Sequence, residues 1–241
     1  MSGGASVREA WSTLAAAQKP GHGVPWYMRE VNRRLGRGVA AVLSTTRATP
    51  DHVTLASALL AAAGLVVLVL APVGIVTAVV VVLLLQAAFA LDAADGQLAR
   101  LTGRGTAAGE WTDHVVDAAR TVCFHLAIAI ALVHHGQVAT GWALVPLGFC
   151  TVASVRFFAQ ILAEQLRRDD PVGSTAAAAA TGGRSAWVQL PADTGVVNAA
   201  LLLWPWAPAF LLGYGVLALA NGLLLLATLV RKRQALLDGA R

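Results

Sequence analysis

Six apolar runs dominate the chain beyond residue 52, at positions 53–71, 73–91, 115–133, 142–162, 196–208 and 209–230. Crossing the ~30 Å hydrocarbon core of a bilayer takes about 20 such residues in an α-helix. Inside lipid, a segment with no edge partners must satisfy its own backbone, which leaves the helix. Five of the runs approach the required length, and the fifth in order is too short to cross unaided. Composition agrees: the chain is 57% apolar and only 13% charged, with a mean hydropathy of +0.65. A soluble domain has about a quarter charged residues, so lipid must cover the surplus apolar surface. The expected architecture is all-α, a polytopic membrane bundle of about six transmembrane helices.

Basic residues sort the connections into two kinds. The links at Ala71-Pro72-Val73-Gly74, at His134-His135-Gly136-Gln137 and around Trp204-Pro205-Trp206-Ala207-Pro208 carry no Lys or Arg. The alternate segments do: Lys19, Arg29, Arg33, Arg34, Arg37 and Arg47 precede the first run, and Arg100 and Arg104 follow the second. Arg167, Arg168 and Arg184 follow the fourth, and Arg231, Lys232 and Arg233 follow the last. The positive-inside bias then places both termini and both longer loops in the cytoplasm.

Residues 1–50 are mixed and polar, so no signal peptide is expected. Within them, Trp26, Val31, Leu35 and Val39 recur at helical spacing among four arginines, the pattern of an interfacial amphipathic helix. A plain basic flank that sets topology would read the same way. This organisation divides the chain into a cytoplasmic N-terminal segment, 1–50, a six-helix membrane domain, 51–233, and a cytoplasmic tail, 234–241. The stretch 174–183, rich in Ala, Thr and Gly, reads as a mobile cytoplasmic loop.

A net charge of +5 and a pI near 10 suggest an anionic partner. The basic residues lie at the ends of apolar runs rather than on a groove-reading face, so membrane lipid headgroups are expected and nucleic acid is not. Cys123 and Cys150 both fall in apolar stretches and read as small packing residues, without a disulfide framework or a zinc ligand set.

Chemistry concentrates where the second run meets the third. Asp92 and Asp95 are three apart in Asp92-Ala93-Ala94-Asp95-Gly96-Gln97-Leu98-Ala99-Arg100, a spacing that puts both on one helix face. After a break at Gly103 and Gly105 comes Gly109-Glu110-Trp111-Thr112-Asp113-His114-Val115-Val116-Asp117, whose two aspartates are four apart and again share a face. Two such pairs on antiparallel neighbours converge into one anionic pocket. Close carboxylates in a poorly solvated site repel or force protonation, and a divalent cation resolves the conflict. All-oxygen ligation points to Mg2+ or Mn2+, which share their shell with substrate phosphates. Gly96, Ala99 and Gly109 are small enough to let a bulky ligand approach the backbone.

The combined pattern D-x-x-D-G-x-x-A-R, eight residues, then G-x-x-x-D-x-x-x-D resembles the signature of the CDP-alcohol phosphotransferase family of membrane enzymes. The segment Thr49-Pro50-Asp51-His52-Val53-Thr54 is similar to the stretch that opens the first span of members, although many carry Asn in place of Asp51. The resemblance implies that Asp92, Asp95, Asp113 and Asp117 hold the metal, with Asp117 also acting as general base on the acceptor hydroxyl. It implies two metal ions, and it places Gly96, Ala99, Arg100 and Gly109 along the CDP moiety. The implied reaction moves a substituted phosphate group from a CDP-linked donor to an alcohol, with release of CMP, in phospholipid biosynthesis. A CDP-diacylglycerol donor is favoured by a chain length close to that of compact bacterial members, and it brings a bacterial plasma membrane as the location. A CDP-headgroup donor with a diacylglycerol acceptor is the alternative. A homodimer and a cytoplasmic active site also follow from the resemblance.

A transporter is the competing class, but transporters place ionisable groups near mid-membrane in repeated halves. Here the aspartates lie at one interface, and no internal repeat is evident. A prenyltransferase would use Asp pairs of different spacing, normally twice. Arg156 is the one basic residue deep in a run. It fits either a substrate phosphate or carboxylate, or an ion pair with Glu164 or the site aspartates. His114, His125, His134 and His135 are scattered and read as interface or packing residues.

Overall fold

The computed structural model describes residues 6–17, 24–168 and 186–239, and every regular element among them is helical. The expected loop at 174–183, together with Lys19 and Arg184, lies outside the described residues.

The N-terminal segment is more structured than its sequence suggested. Helix α1, Val7–Ala16, opens on a reciprocal cap in which the Ser6 hydroxyl accepts from the Glu9 N–H at 3.3 Å and the Glu9 carboxylate accepts from the Ser6 N–H at 2.7 Å. That Ser-x-x-Glu signal was legible and marks a helix the hydropathy pattern misses. A π turn, Met28–Asn32, runs without a break into α2, Arg33–Leu43. The expected amphipathic helix is therefore present, and it has two working faces. Leu35 and Val42 are about half exposed, whereas Asn32, Gly36 and Ala40 are buried at helical spacing. The Asn32 side-chain amide donates to the carbonyl of Phe89 at 3.1 Å. Arg37 lies 4.4 Å over the Trp11 ring and ties α1 to α2.

Helix α3, Pro50–Leu70, starts with Thr49 capping His52 and with proline at its first position. Helices α4, Ile75–Thr102, and α5, Ala107–His134, each run 28 residues, or ~42 Å at 1.5 Å per residue. Both exceed the hydrocarbon thickness, and both carry their Asp, Glu and Arg residues in the half nearer the turn that joins them. Gly103 ends α4 in the left-handed region, φ +65°, and the Arg104 N–H caps the Ala99 carbonyl at 3.1 Å. A 3-10 turn, Thr140–Ala143, leads into α6, Leu144–Arg168.

The remaining two elements divide unequally. Helix α7, Thr194–Ala199, continues as a 3-10 turn through Leu203, and α8, Ala207–Gly239, completes the chain. Among the described residues, five helices are long and apolar enough to cross a membrane, and the apolar segment Thr194–Leu203 is a sixth, shorter one. Asp193 starts this segment as its N-cap, and Pro205 lies just past its end, where a proline cannot extend the backbone ladder. The expected fifth run at 196–208 is thus a short helix packed inward. Its Val197 and Leu201, and Trp204 just beyond, are buried against the bundle.

The main core joins Leu65 and Leu68 of α3, Val81 and Leu85 of α4, Ile128 and Leu132 of α5, Phe149 of α6, and Phe210 and Tyr214 of α8. His125 is buried here with Phe149 and hydrogen bonds the Tyr214 hydroxyl, a packing role as its sequence context suggested. A second core gathers Leu14, Ala40, Val53, Ala94 and Leu98, and so locks α1 and α2 onto the α3–α4 pair. Outward-facing Leu59, Val76, Leu83, Leu212, Leu219 and Val230 are more than 55% exposed, the apolar exterior a lipid-facing bundle presents.

The α2–α4 contact tolerates no added atom at one point. A Cβ on Gly36 would lie 2.8 Å from Ala93 Cβ and 2.9 Å from its backbone carbon, whereas one on Gly38 meets the Trp11 ring at an ordinary 3.4 Å. Gly36→Val is expected to cost about 1–3 kcal/mol by overpacking. It should lower the unfolding midpoint of the detergent-solubilised protein, with Gly38→Ala neutral or slightly stabilising. Equal midpoints for the two variants would show that this contact does not hold the N-terminal helix.

Candidate functional site

The site forms in the space between the long helices α4 and α5, both of which pack against α3, and helix spacing dictates its shape. Asp92, Asp95 and Asp113 each bring one carboxylate oxygen within 4.8 Å of the others. The two-pair arithmetic of the sequence therefore converges for three of the four aspartates. Asp117 is drawn instead into an ion pair with Arg120, one turn along α5, and the same guanidinium group also contacts Asp92.

Helix α3 supplies the support. Asp95 is buried at 5% exposure, and its two oxygens are both engaged. The Thr54 hydroxyl donates to one at 2.6 Å, and the Gly96 N–H donates to the other. Ser57, three residues along the same face, donates to the Ala88 carbonyl at 2.9 Å and lies 3.4 Å from the Arg120 guanidinium. Thr54 and Ser57 were legible as two hydroxyls on one face of an otherwise apolar helix, but their partners required the packed structure.

The small residues border the same pocket. A Cβ on Gly96 would lie 3.6 Å from the Arg100 guanidinium, so the Arg100 side chain folds back over the glycine. Its charge interacts with Asp95. Gly109 lies against α3: a Cβ there would stand 3.2 Å from an Asp51 carboxylate oxygen and from the Thr106 hydroxyl. Asp51, the departure from the usual Asn, thus lines the pocket beside Gly109 and is not among the three converging carboxylates. Ala99 is half-buried next to the turn that ends α4.

Arg156 belongs to a separate polar junction. Its guanidinium donates to the Ala192 carbonyl at 3.0 Å, and its charge interacts with Asp193. Glu164, the partner weighed from sequence, instead accepts from Gln160. Asp193 is buried at 1% exposure and accepts from the N–H groups of Met28 at 2.9 Å and Gly195 at 3.1 Å. Burial pushes its pKa up, while these hydrogen bonds and Arg156 pull the other way. A carboxylate thus joins the N-terminal helix, α6 and α7, a contact that its place in the sequence did not announce.

The donor set suits a hard divalent cation: three carboxylates within reach of one another and no nitrogen or sulfur ligand among them. Residues that orient metal ligands typically contribute 10–100-fold to metal affinity. Thr54→Val is accordingly expected to weaken Mn2+ binding by about 10–100-fold, while Thr54→Ser keeps the hydrogen bond and most of the affinity. Isothermal titration of both variants decides it, and an unchanged affinity for Thr54→Val would remove Thr54 from the site.

The CDP-alcohol phosphatidyltransferase family model matches residues 47–230, from just before α3 into α8. No individual curated protein matches the chain. The matched region takes in more than half of the chain and every residue of the α3–α4–α5 pocket. The chain belongs to the CDP-alcohol phosphatidyltransferase family.

Proposed function

We propose that the protein transfers a phosphatidyl group from CDP-diacylglycerol to the hydroxyl of a polar alcohol and releases CMP. The observation that carries this reading is the convergence of Asp92, Asp95 and Asp113 beside two glycines in a chain of this family. Mg2+ or Mn2+ bound by those carboxylates would neutralise diphosphate charge as CMP leaves. In this reading Gly96, Ala99, Arg100 and Gly109 border the CDP moiety. Gly96 and Gly109 leave room for it along the backbone, and Arg100 faces its phosphates.

Asp117 serves as the general base. The acceptor oxygen forms its bond to the β-phosphorus as the bond from that phosphorus to the CMP oxygen breaks, and the hydroxyl proton passes to the Asp117 carboxylate. Arg156 stands with Asp193 and Ala192 near the head of α7, where a phosphate or carboxylate on the acceptor would find a positive charge. The choice of a CDP-lipid over a CDP-headgroup follows the phosphatidyl transfer that the family description names.

Purified protein given CDP-diacylglycerol and a panel of alcohols should release CMP and form a phospholipid that mass spectrometry identifies, and chelator should abolish both. Release only from CDP-choline with diacylglycerol would reverse the donor assignment. Asp95→Asn should weaken donor binding together with turnover. Asp117→Asn should keep near-normal donor affinity and lose ~10²–10⁴ in turnover, the usual contribution of a general base. Equal loss of donor binding in both variants would make Asp117 chiefly a ligand.

The pocket is proposed to face the cytoplasm, with both termini on the same side. Cysteines placed at Gly103 and Gln137, the turns before and after α5, should then label from the cytoplasm and from outside respectively. Labelling of both from one side would overturn this orientation.

A further inference from the structure

Arg120 lies one helical turn past Asp117, and its Nη2 group contacts Asp92 Oδ1 on α4 and Asp117 Oδ1 on α5 together. Its Nη1 group lies 3.4 Å from Ser57 Oγ on α3. The Ser57 proton is already committed to the Ala88 carbonyl, so this oxygen is oriented to accept. Three helices therefore hold one guanidinium at a set place, with its side chain and that of Asp92 each only 16% exposed. Arginine cannot be deprotonated in a protein, so this positive charge is permanent. A buried carboxylate stripped of such a partner is strongly destabilised, which commits Asp117 and one oxygen of Asp92 to the guanidinium. The three carboxylates that converge are Asp92, Asp95 and Asp113, without Asp117.

We propose that Arg120 is a resident cation on the Asp117 side of the pocket, so that before the donor binds the protein takes one divalent ion, on Asp92, Asp95 and Asp113. This rests on the metal-site reading above. Like charge at the Asp117 oxygen disfavours a second ion there. Arg120 is thus a positioning residue: it aims Asp117 and keeps its carboxylate from being spent on metal. It also explains how a pocket of four aspartates tolerates burial with a single ion.

The test counts ions in the full-length protein in detergent without nucleotide, reading free Mn2+ by electron paramagnetic resonance during titration. Wild type should bind one Mn2+ tightly. Arg120→Gln removes the charge and should bind a second, with affinity at least about tenfold above any second-site binding in wild type. Arg120→Lys keeps the charge and should keep the count at one. Two tight ions in wild type, or a count and affinity unchanged in Arg120→Gln, would overturn the inference. No Mn2+ binding by wild type would overturn the metal reading itself and this inference with it. Should Arg120→Gln fail to fold, the wild-type and Arg120→Lys counts decide, and two tight ions in either sink the proposal.

Discussion

Four carboxylates gathered between two helices of a largely apolar bundle set the terms for everything around them. Like charges at close range in a poorly solvated site are costly, and the neighbouring elements are arranged to offset that cost. Arg120 answers Asp92 and Asp117, while Thr54 and the Gly96 N–H answer Asp95. These partners require α3 to lie against the α4–α5 pair, so the packing order of the first three long helices and the electrostatics of the pocket are one constraint. In the proposed function the remainder serves phosphoryl transfer: three hard oxygen donors that no protein cation fully neutralises.

Holding that pocket in place is work shared with the N-terminal segment. Gly36 and Ala40 of α2 sit on the stretch of α4 that carries the first aspartate pair, close enough that Gly36 touches Ala93, the residue between Asp92 and Ala94. Small side chains let the backbones approach closely, which is how helices associate where the hydrophobic effect offers little between them. The amphipathic helix thus does two jobs, with Leu35 and Val42 turned outward and its small face braced against the site helix.

The short α7 shows how a segment too brief to cross a bilayer is still held in register. Its start is fixed by Asp193, which gathers backbone N–H groups from the N-terminal helix and from α7 itself and stands by Arg156 of α6. Gly195 carries no side chain because the Tyr27 ring occupies the space, 2.1 Å from where a Cβ would be. The Gln86 amide of α4 donates to the Gly195 carbonyl at 2.8 Å, and the Asn221 amide of α8 donates to Pro191 at 2.7 Å. Polar anchors at its N-terminal end take the place of hydrophobic length.

Much of this protein was written in one dimension. Apolar run length and the chemistry of an unpaired backbone in lipid dictate a helical bundle, and the spacings Asp92-x-x-Asp95 and Asp113-x-x-x-Asp117 dictate that each pair shares a helix face. Both properties are local, governed by 1.5 Å of rise and 3.6 residues per turn. What lay beyond local reach was which carboxylates meet. Only the packing of α4 and α5 against α3 places Asp113 beside the first pair and leaves Asp117 to Arg120. Only the contact with α3 turns Thr54 and Ser57, which look like stray polar residues, into the supports of Asp95 and Arg120. The same holds for Arg156, whose partner Asp193 lies 37 positions away on a segment that folds back. Periodicity fixes which face a side chain occupies, whereas its partner is chosen by helices distant in sequence, and that choice is made by tertiary packing.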